Sequence, residues 1–375
     1  MEPKASPPAV VSQPVSSPIS PSPEPNKSPR RSLPVIIAVI AILLAGGVLA
    51  YQLTQPKTEP KKLAVATPAP SPQVTPTRTQ GLVLDTSKNY GNTYADGIVP
   101  VGDGKYTTTA PKTGYVYACT QYAQNLSTQS GGAQTRGPWF TDNNTAYNIN
   151  KKIHVEGSVT WQADYRMQIN ASTRTITTND LPSHPTGIFP ILSSDPAYQY
   201  DRNPNSISGQ DFTFALPLDP AYGSPGCMGG EVGVMTTGIV LFSAFDAGGR
   251  DAGAWEVQDE CSGHPQSDGI YHYHTLSACI KDTSVHNVIG YALDGFPITG
   301  PEVALGNILT TADLDVCHGI TSQITLDGKS VDMYHYVMTQ DFPYSISCYR
   351  GHAIQPPGLS SQSPPSGAGG PPPPA

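Results

Sequence analysis

The chain has 375 residues, of which 39 are proline and 36 are glycine, and its formal net charge is −8. The first 80 residues carry eight basic and three acidic side chains, a net +5, so residues 81–375 carry a net charge of −13. A domain this acidic is not expected to bind nucleic acid or an anionic membrane surface, and cations are its natural partners. Solubility is an equally good interpretation of the charge.

Proline and serine dominate residues 1–32, which show no apolar period and are predicted to be a disordered cytoplasmic tail. Residues 33–53 contain no charged side chain and are long enough to span a bilayer as one helix. A cleaved signal peptide is the alternative, but the long, Pro-rich leading segment is unlike the compact basic region of a signal peptide. We therefore expect an uncleaved, single-pass transmembrane helix, followed by a Pro/Thr/Lys stalk over residues 54–80.

All 6 cysteines follow the apolar segment. An even number of cysteines in a Gly- and Tyr-rich domain behind such a segment indicates disulfides and export. The basic residues on the two sides of the segment are nearly balanced, so the positive-inside rule does not decide its orientation. We expect a cell-membrane protein whose C-terminal domain is extracytoplasmic. Six free thiols in a cytosolic protein are the alternative.

Residues 81–354 are expected to form one β-rich ectodomain, and the Pro/Gly-rich residues 355–375 a disordered tail. Runs of β-branched and aromatic residues predict strands, and no segment after the apolar one shows a long helical period. The predicted strands cover residues 114–121, 152–162, 166–178, 211–216, 232–245, 269–274, 288–293 and 333–338. We predict an all-β fold, mainly an antiparallel sandwich or Greek-key barrel with long loops, preceded by one transmembrane helix.

Residues 232–279 and 288–348 share an order of features that favours an internal duplication. Each contains a strand pair, an Asp-x-Cys loop, a strand with Tyr-His-Tyr and a closing cysteine. Chance matching in a biased composition is the alternative. Equivalent copies would contain the disulfides Cys261–Cys279 and Cys317–Cys348, which leaves Cys119–Cys227, although six cysteines also allow other pairings.

The segment Tyr-His-Tyr-His at residues 271–274 carries the strongest chemical signal. Side chains alternate between the two faces of a strand, so His272 and His274 point the same way, with Cα atoms about 7 Å apart. Both imidazoles can then reach a single metal ion. The alternative is a polar Tyr/His strand face that forms hydrogen bonds within the protein.

The candidate third ligand is His264, and His318 and His335 are reserves. A site rich in imidazole and without thiolate suits zinc, copper or iron. Asp259 and Glu260 are candidates for accepting a hydrogen bond from the outer N–H group of a ligating histidine.

Candidate catalytic residues are few. Asp294 precedes Gly295 in a pattern typical of a turn, and a role in acid–base catalysis is the alternative. Glu260 is the other acid–base candidate. The chain lacks the Gly-x-Ser-x-Gly, P-loop, Gly-x-Gly-x-x-Gly and His-Glu-x-x-His motifs, which argues against a serine hydrolase, a nucleotide-binding protein and a zincin.

The combination of these motifs resembles the bacterial YHYH-domain proteins. The segments that carry the resemblance are residues 184–187, 200–205, 259–265, 271–274, 290–298, 314–319, 342–344 and 348–351. The resemblance covers about residues 115–352 and implies export and a β-rich domain named for its histidine motif. It implies no agreed reaction.

The sequence therefore predicts a membrane-anchored, extracytoplasmic protein whose histidine cluster binds a transition metal. A metal-dependent enzyme of unspecified substrate is the second hypothesis, and Asp294 or Glu260 would move protons in it. A disulfide-linked structural or adhesive surface module is the third. The enzyme requires an open metal position facing a cleft, whereas the structural module requires His272 and His274 to be buried against protein partners. The sequence names no protein or glycan partner.

Overall fold

The computed structural model describes residues 81–122, 135–141 and 143–355. The expected cytoplasmic tail, transmembrane helix and stalk within residues 1–80, and the C-terminal tail after Gln355, lie outside the described residues. Over the part of the chain that is described, no helix has the length and apolar character needed to cross a membrane.

Strands make up most of the regular secondary structure of the described residues, and the helical segments are all short. The strands are β1 (Ile98–Pro100), β2 (Tyr106–Thr107), β3 (Val116–Tyr117), β4 (Ala146–Asn148), β5 (Tyr165–Asn170), β6 (Thr173–Thr178), β7 (Phe212–Pro217), β8 (Glu231–Met235), β9 (Val240–Phe242), β10 (Gly263–Pro265), β11 (Tyr271–Tyr273), β12 (Val288–Ala292), β13 (Pro297–Thr299), β14 (Glu302–Ala304), β15 (Asn307–Ile308), β16 (Gly319–Leu326) and β17 (Lys329–Val337). The α-helix α1 (Ala252–Trp255) and the 3-10 helices Ile149–Lys151, Pro196–Gln199 and Thr311–Asp313 complete the described elements. The prediction of a mainly β structure is confirmed.

The largest sheet has eight strands in the order β10-β11-β9-β8-β12-β13-β17-β16. Its neighbours pair antiparallel except for β11 with β9 and β13 with β17, which are parallel. A second sheet, the antiparallel β5-β6-β7, packs on it, because Phe214 and Leu216 of β7 share one apolar core with Val234 and Tyr291 of the large sheet. The two parallel pairs make the large sheet mixed, whereas the sequence indicated a mainly antiparallel fold.

The strand order outward from the centre of the large sheet is the same in both halves. One half runs β8-β9-β11-β10 and the other runs β12-β13-β17-β16. The pairing is also the same. β9 pairs in parallel with β11, as β13 does with β17, and β10 pairs antiparallel with β11, as β16 does with β17. Gly238 and Gly295 close the first hairpin of each half with the same φ of +90°. This is the arrangement that two copies of one supersecondary unit would adopt.

An aspartate fixes the loop before the third strand of each half. The Asp259 carboxylate accepts the backbone N–H groups of Cys261 at 2.9 Å and Gly263 at 3.2 Å, and the Tyr271 hydroxyl at 2.8 Å. Asp315 receives the same three kinds of contact at the equivalent positions of the second half. The Asp-x-Cys motif is therefore a loop brace that joins β10 to the strand carrying the histidines.

Three disulfides connect the described domain, and all 6 cysteines take part in them. The pairs are Cys119–Cys227, Cys261–Cys279 and Cys317–Cys348, as expected from the repeated features. Cys261–Cys279 closes the segment that contains β10 and β11, with a sequence separation of 18. No thiolate is therefore available to ligate a metal while these bonds are intact.

The strand predicted over residues 152–162 is wrong. Within it only Val155 and Val159 pair with another segment, each through an isolated bridge. Gly157 lies between them with a φ of +106°, which interrupts the extended conformation that the alternating apolar residues predicted. The run over residues 166–178 divides into the hairpin of β5 and β6.

The loop brace has a steric requirement that substitution can test. A Cβ added at Gly263 would lie 2.2 Å from the Tyr271 ring, whereas one added at Gly230 would meet no atom within 4 Å. We expect Gly263→Ala to lower the free energy of unfolding by about 1–3 kcal/mol, because the ring is held by Asp259. Gly230→Ala, the matched control, should change it by less than about 0.5 kcal/mol. Urea denaturation measures both, and equal stabilities would contradict this account.

Candidate metal centre

β10 and β11 bring three histidines to one place. His264 lies directly opposite His272 in the antiparallel pair, and His274 follows the end of β11. The ring centroids are 4.5 Å apart for His264 and His272 and 4.8 Å apart for His272 and His274. One ring nitrogen from each histidine lies within 4.8 Å of the other two. The alternation predicted from the sequence therefore places these side chains together, and all three are buried, with exposures of 3–4%.

The hydrogen bonds of the two strand histidines determine which ring nitrogen carries hydrogen. His272 Nδ1 lies 3.2 Å from the Ile270 carbonyl oxygen, and His274 Nδ1 lies 2.5 Å from the Ser243 carbonyl oxygen. A carbonyl only accepts, so these contacts assign the donor role to Nδ1, and in the neutral form of each ring Nε2 then has a lone pair. The two Nε2 atoms face each other at 3.1 Å. Two acceptors in contact repel unless a cation or a proton lies between them.

A carboxylate that the sequence did not indicate completes the cluster. Glu256 Oε2 lies 3.3 Å from His264 Nε2 and 3.3 Å from His274 Nε2. Glu256 is the residue that ends α1, and its backbone N–H bonds to the Ala252 carbonyl oxygen. No short motif links Glu256 to the histidines, since its position depends on the turn of α1. Its side chain is buried, in contrast to the exposed Glu260 that the sequence favoured.

Burial and neighbouring charge set the protonation of the cluster. Burial lowers the pKa of His264 to about 4 and that of His272 well below its ordinary value. Burial alone would raise the pKa of the Glu256 carboxyl, but the facing imidazoles of His264, His274 and His272 outweigh it and hold that pKa below its usual range. Neutral imidazoles at His264 and His272 therefore lie beside an ionised Glu256 carboxylate.

An apolar wall holds the histidine rings. Phe242 of β9 stacks on His272, with ring centroids 4.0 Å apart and an interplanar angle of 23°. The same ring meets His274 edge-on at 5.9 Å. This packing excludes water from one side of the cluster and limits ring rotation, both of which keep the nitrogen atoms in place.

The other acidic candidates lie elsewhere. Asp259 braces its loop, and none of its hydrogen bonds comes from a histidine of the cluster. Asp294 accepts the Tyr336 hydroxyl at 2.6 Å and the backbone N–H of Gly351 at 2.8 Å. Burial raises the pKa of Asp294, and these donors partly offset the rise. Its contacts hold the first hairpin of the second half against residues near the end of the described chain.

The two reserve histidines belong to hydroxyl networks. His335 lies 2.9 Å from Thr299 Oγ1 through Nδ1 and 2.8 Å from Ser322 Oγ through Nε2. His318 Nε2 lies 3.1 Å from Thr339 Oγ1. Both nitrogens of His335 are therefore occupied.

The second half of the sheet has no histidine at two of the three equivalent positions. In the β16–β17 pairing, Ile320 lies opposite His335, as His264 lies opposite His272 in the first half. Val337 occupies the position that corresponds to His274. Only the first half of the sheet therefore places three histidines together.

A further histidine, His184, lies beside the Cys261–Cys279 disulfide, with a ring nitrogen close to both sulfur atoms. Its Nε2 atom contacts the Tyr273 hydroxyl, on the opposite face of β11 from the cluster. Because both sulfur atoms are oxidised, this group is not a metal site in the folded protein.

Comparison with known protein families supports the resemblance seen in the motifs. Residues 213–307 match the family model described as YHYH protein, so the chain carries a YHYH domain. The match is narrower than the range over which the motifs resemble the family, and it contains Glu256 and the three clustered histidines. No curated protein and no solved structure matches the chain.

The reserve histidines predict a pH-dependent stability. Burial lowers the pKa of His318 and of His335 to about 3, from an ordinary value of 6.5. Between these values the unfolded chain binds more protons than the folded one, so the free energy of unfolding falls as the pH drops from 6.5 to 3. Each histidine contributes up to about 1.4 kcal/mol per pH unit.

Urea denaturation at several pH values, in the presence of a chelator, tests this prediction. His335→Gln should reduce the pH slope of the unfolding free energy by the contribution of one group. His352→Gln should leave the slope unchanged, because His352 is exposed. Equal slopes for the wild type and His335→Gln would show that His335 takes up its proton in the folded state.

Proposed function

We propose that this YHYH-domain protein binds one transition-metal ion through His264, His272 and His274. The observation that carries the proposal is the 3.1 Å contact between the Nε2 atoms of His272 and His274. Both atoms are acceptors, since each ring donates its Nδ1 hydrogen to a carbonyl. Two nitrogens that bind one zinc ion at about 2.1 Å lie about 3.0–3.4 Å apart, so the observed separation suits a shared ion.

The donor set favours the metals expected from the sequence. Three imidazoles without thiolate suit zinc, iron or copper, and the carbonyl groups bonded to Nδ1 orient two of the rings for ligation. A proton shared between the rings is the structural alternative. Such a proton would charge a ring pair in which burial lowers the pKa of His272, and it would leave the buried ring nitrogens of His264 without a partner, so a metal ion is the better occupant.

The burial of the cluster favours binding over turnover of a large substrate. His264, His272 and His274 are each no more than 4% exposed. An enzyme with a bulky substrate requires an open metal position that faces a cleft. The proposal is therefore a bound metal that stabilises the YHYH domain or supplies a site for a small ligand.

Metal content is the first measurement. The purified protein should contain near-stoichiometric zinc, iron or copper, and His272→Ala/His274→Ala should contain none, because two ligands on one strand face are lost. His352→Ala is the matched control, since His352 is exposed and lies outside the cluster, and it should keep the metal. Absence of metal in all three proteins would reject the proposal.

Thermal unfolding gives a second readout. A ligand that binds only the folded state stabilises it by about 2.7 kcal/mol at 100 times its Kd. For a domain of this size we expect Tm to rise by roughly 5–10 °C on metal addition and to fall with chelator. A shared proton predicts that neither treatment changes Tm.

We also propose that the protein is anchored in the cell membrane by residues 33–53, with the YHYH domain outside the cytoplasm. Two observations support this: the segment is uncharged, and all 6 cysteines, which follow it, are disulfide-bonded. Disulfides persist in oxidising compartments and are rare in the cytosol.

Cell fractionation tests the anchor. The full-length protein should remain with membranes after an alkaline carbonate wash, and protease added to intact cells or spheroplasts should remove the YHYH domain. A variant without residues 1–54 should be soluble. A membrane-free mature protein whose N-terminus follows the apolar segment would instead establish a cleaved signal peptide.

A further inference from the structure

We infer that Glu256 is the fourth protein ligand of this site and that it makes the site selective for a divalent first-row cation over Cu(I). The inference rests on the proposed metal binding by His264, His272 and His274. It adds the residue that sets the charge of the site, and hence the class of ion.

The geometry places the carboxylate among the imidazole nitrogens. Glu256 Oε2 lies 3.3 Å from Nε2 of both His264 and His274, and His274 Nε2 lies 3.1 Å from His272 Nε2. These separations resemble the edges of a coordination polyhedron whose metal–ligand distances are about 2.0–2.2 Å. The four atoms can therefore share one ion with small adjustments of the side chains.

The contact between Glu256 and His274 opposes two acceptor atoms when the hydrogen of the neutral ring is on Nδ1. His274 gives its hydrogen to the Ser243 carbonyl through Nδ1, so its Nε2 and the carboxylate oxygen are both acceptors. Acceptor thus faces acceptor at Glu256, as it does between the Nε2 atoms of the two strand histidines. One cation relieves both contacts, because every lone pair involved then has the same partner.

His264 supplies an independent sign of a missing partner. Neither of its ring nitrogens forms a hydrogen bond with the described residues, although the residue is only 3% exposed. A buried polar atom without a partner costs about 1–3 kcal/mol. A ligand bound next to Glu256 would occupy His264 Nε2, which is the nitrogen that faces the carboxylate.

The backbone around Glu256 is held firmly. Asp251 caps α1 by accepting the Ala254 N–H. The buried Lys152 ammonium bonds to the Gly253 carbonyl oxygen and to Gln258 Oε1, each at 2.5 Å, and so ties the residues before Glu256 to those after it. A carboxylate fixed in this way loses little conformational entropy when it binds an ion.

The charge of the site decides the class of ion. Imidazole binds a metal in its neutral form, so three imidazole ligands and one carboxylate ligand contribute a net charge of −1, which attracts a divalent cation about twice as strongly as a monovalent one. Cu(I) prefers soft thiolate and thioether ligands, and all 6 cysteines are oxidised. Zinc, ferrous iron and their divalent neighbours accept a mixed set of imidazole and carboxylate ligands.

Glu256→Gln tests the inference, because it removes the charge and keeps the shape of the side chain. Loss of an outer-sphere partner costs about 10–100-fold in metal affinity, so loss of a ligand should cost more than about 100-fold for Zn²⁺. The affinity for Cu(I) should fall less, so the ratio of the Zn²⁺ affinity to the Cu(I) affinity should decrease. Chelator competition measures the affinities, and the visible spectrum of the Co²⁺-loaded protein should change in energy and intensity as one ligand is lost.

Two further variants make each result decisive. Glu260→Gln is the matched control, since Glu260 is exposed four residues away and should behave as the wild type. Glu256→Asp keeps the carboxylate on a shorter side chain and should give a Zn²⁺ affinity between those of the wild type and Glu256→Gln. Urea denaturation of each variant in chelator establishes that the metal-free protein folds.

The outcomes separate the inference from the proposed function. A wild type that binds no metal would reject both. If the wild type binds metal and Glu256→Gln keeps the Co²⁺ spectrum, with an affinity within about 100-fold, Glu256 lies outside the coordination sphere and the inference alone is wrong. A larger loss with an altered spectrum, together with partial rescue by Glu256→Asp, would establish the fourth ligand.

Discussion

The hydrogen bonds accepted by Asp259 are the constraint on which the candidate site depends. They fix the loop before β10 and bind the Tyr271 hydroxyl, so they set how β10 lies against β11. That alignment places His264 opposite His272, because a slip of one residue would turn the histidine to the other face of the sheet. The Cys261–Cys279 disulfide closes the same unit. A polar brace outside the cluster thus determines whether three imidazoles meet, which explains why the aspartate and the histidines occur in one short stretch of sequence.

The second half of the sheet has the same loop brace but no cluster of three histidines. Asp315 braces its loop in the same way, and His335 occupies the strand position that corresponds to His272. There the imidazole lies between two hydroxyl groups that satisfy both of its nitrogens. Ile320 and Val337 occupy the positions of the other two histidines. The brace is therefore a property of the fold, whereas the cluster of facing acceptors is particular to one half and requires a separate explanation.

Much of the site could be predicted from the sequence, since it depends on local rules. The two-residue period of a strand places His272 and His274 on one face, and the repeated order of features gave the disulfide pairs found in the structure. Glu256 could not be found in this way. It reaches the cluster through the turn of α1, which is only four residues long and has no detectable period. The parallel pairing of β9 with β11 was also missed, because the intervening segment contains little helix, which is the usual signature of a parallel connection.

The arrangement of acceptors also bears on stability. A core that buries three imidazoles and a carboxylate gains little from burial and bears the desolvation of each polar group. Neighbouring hydroxyl or amide side chains would offset that cost by forming hydrogen bonds with the buried groups, as the two hydroxyl groups beside His335 do. A buried cluster that opposes acceptor to acceptor is stable only with a positive charge at its centre. Three contacts of 3.1–3.3 Å define the place for that charge. A metal ion there would accept one lone pair from each of four ligand atoms, whereas a proton is shared by only two. Under the proposed metal binding, the folding of this half of the sheet would be coupled to binding of the ion.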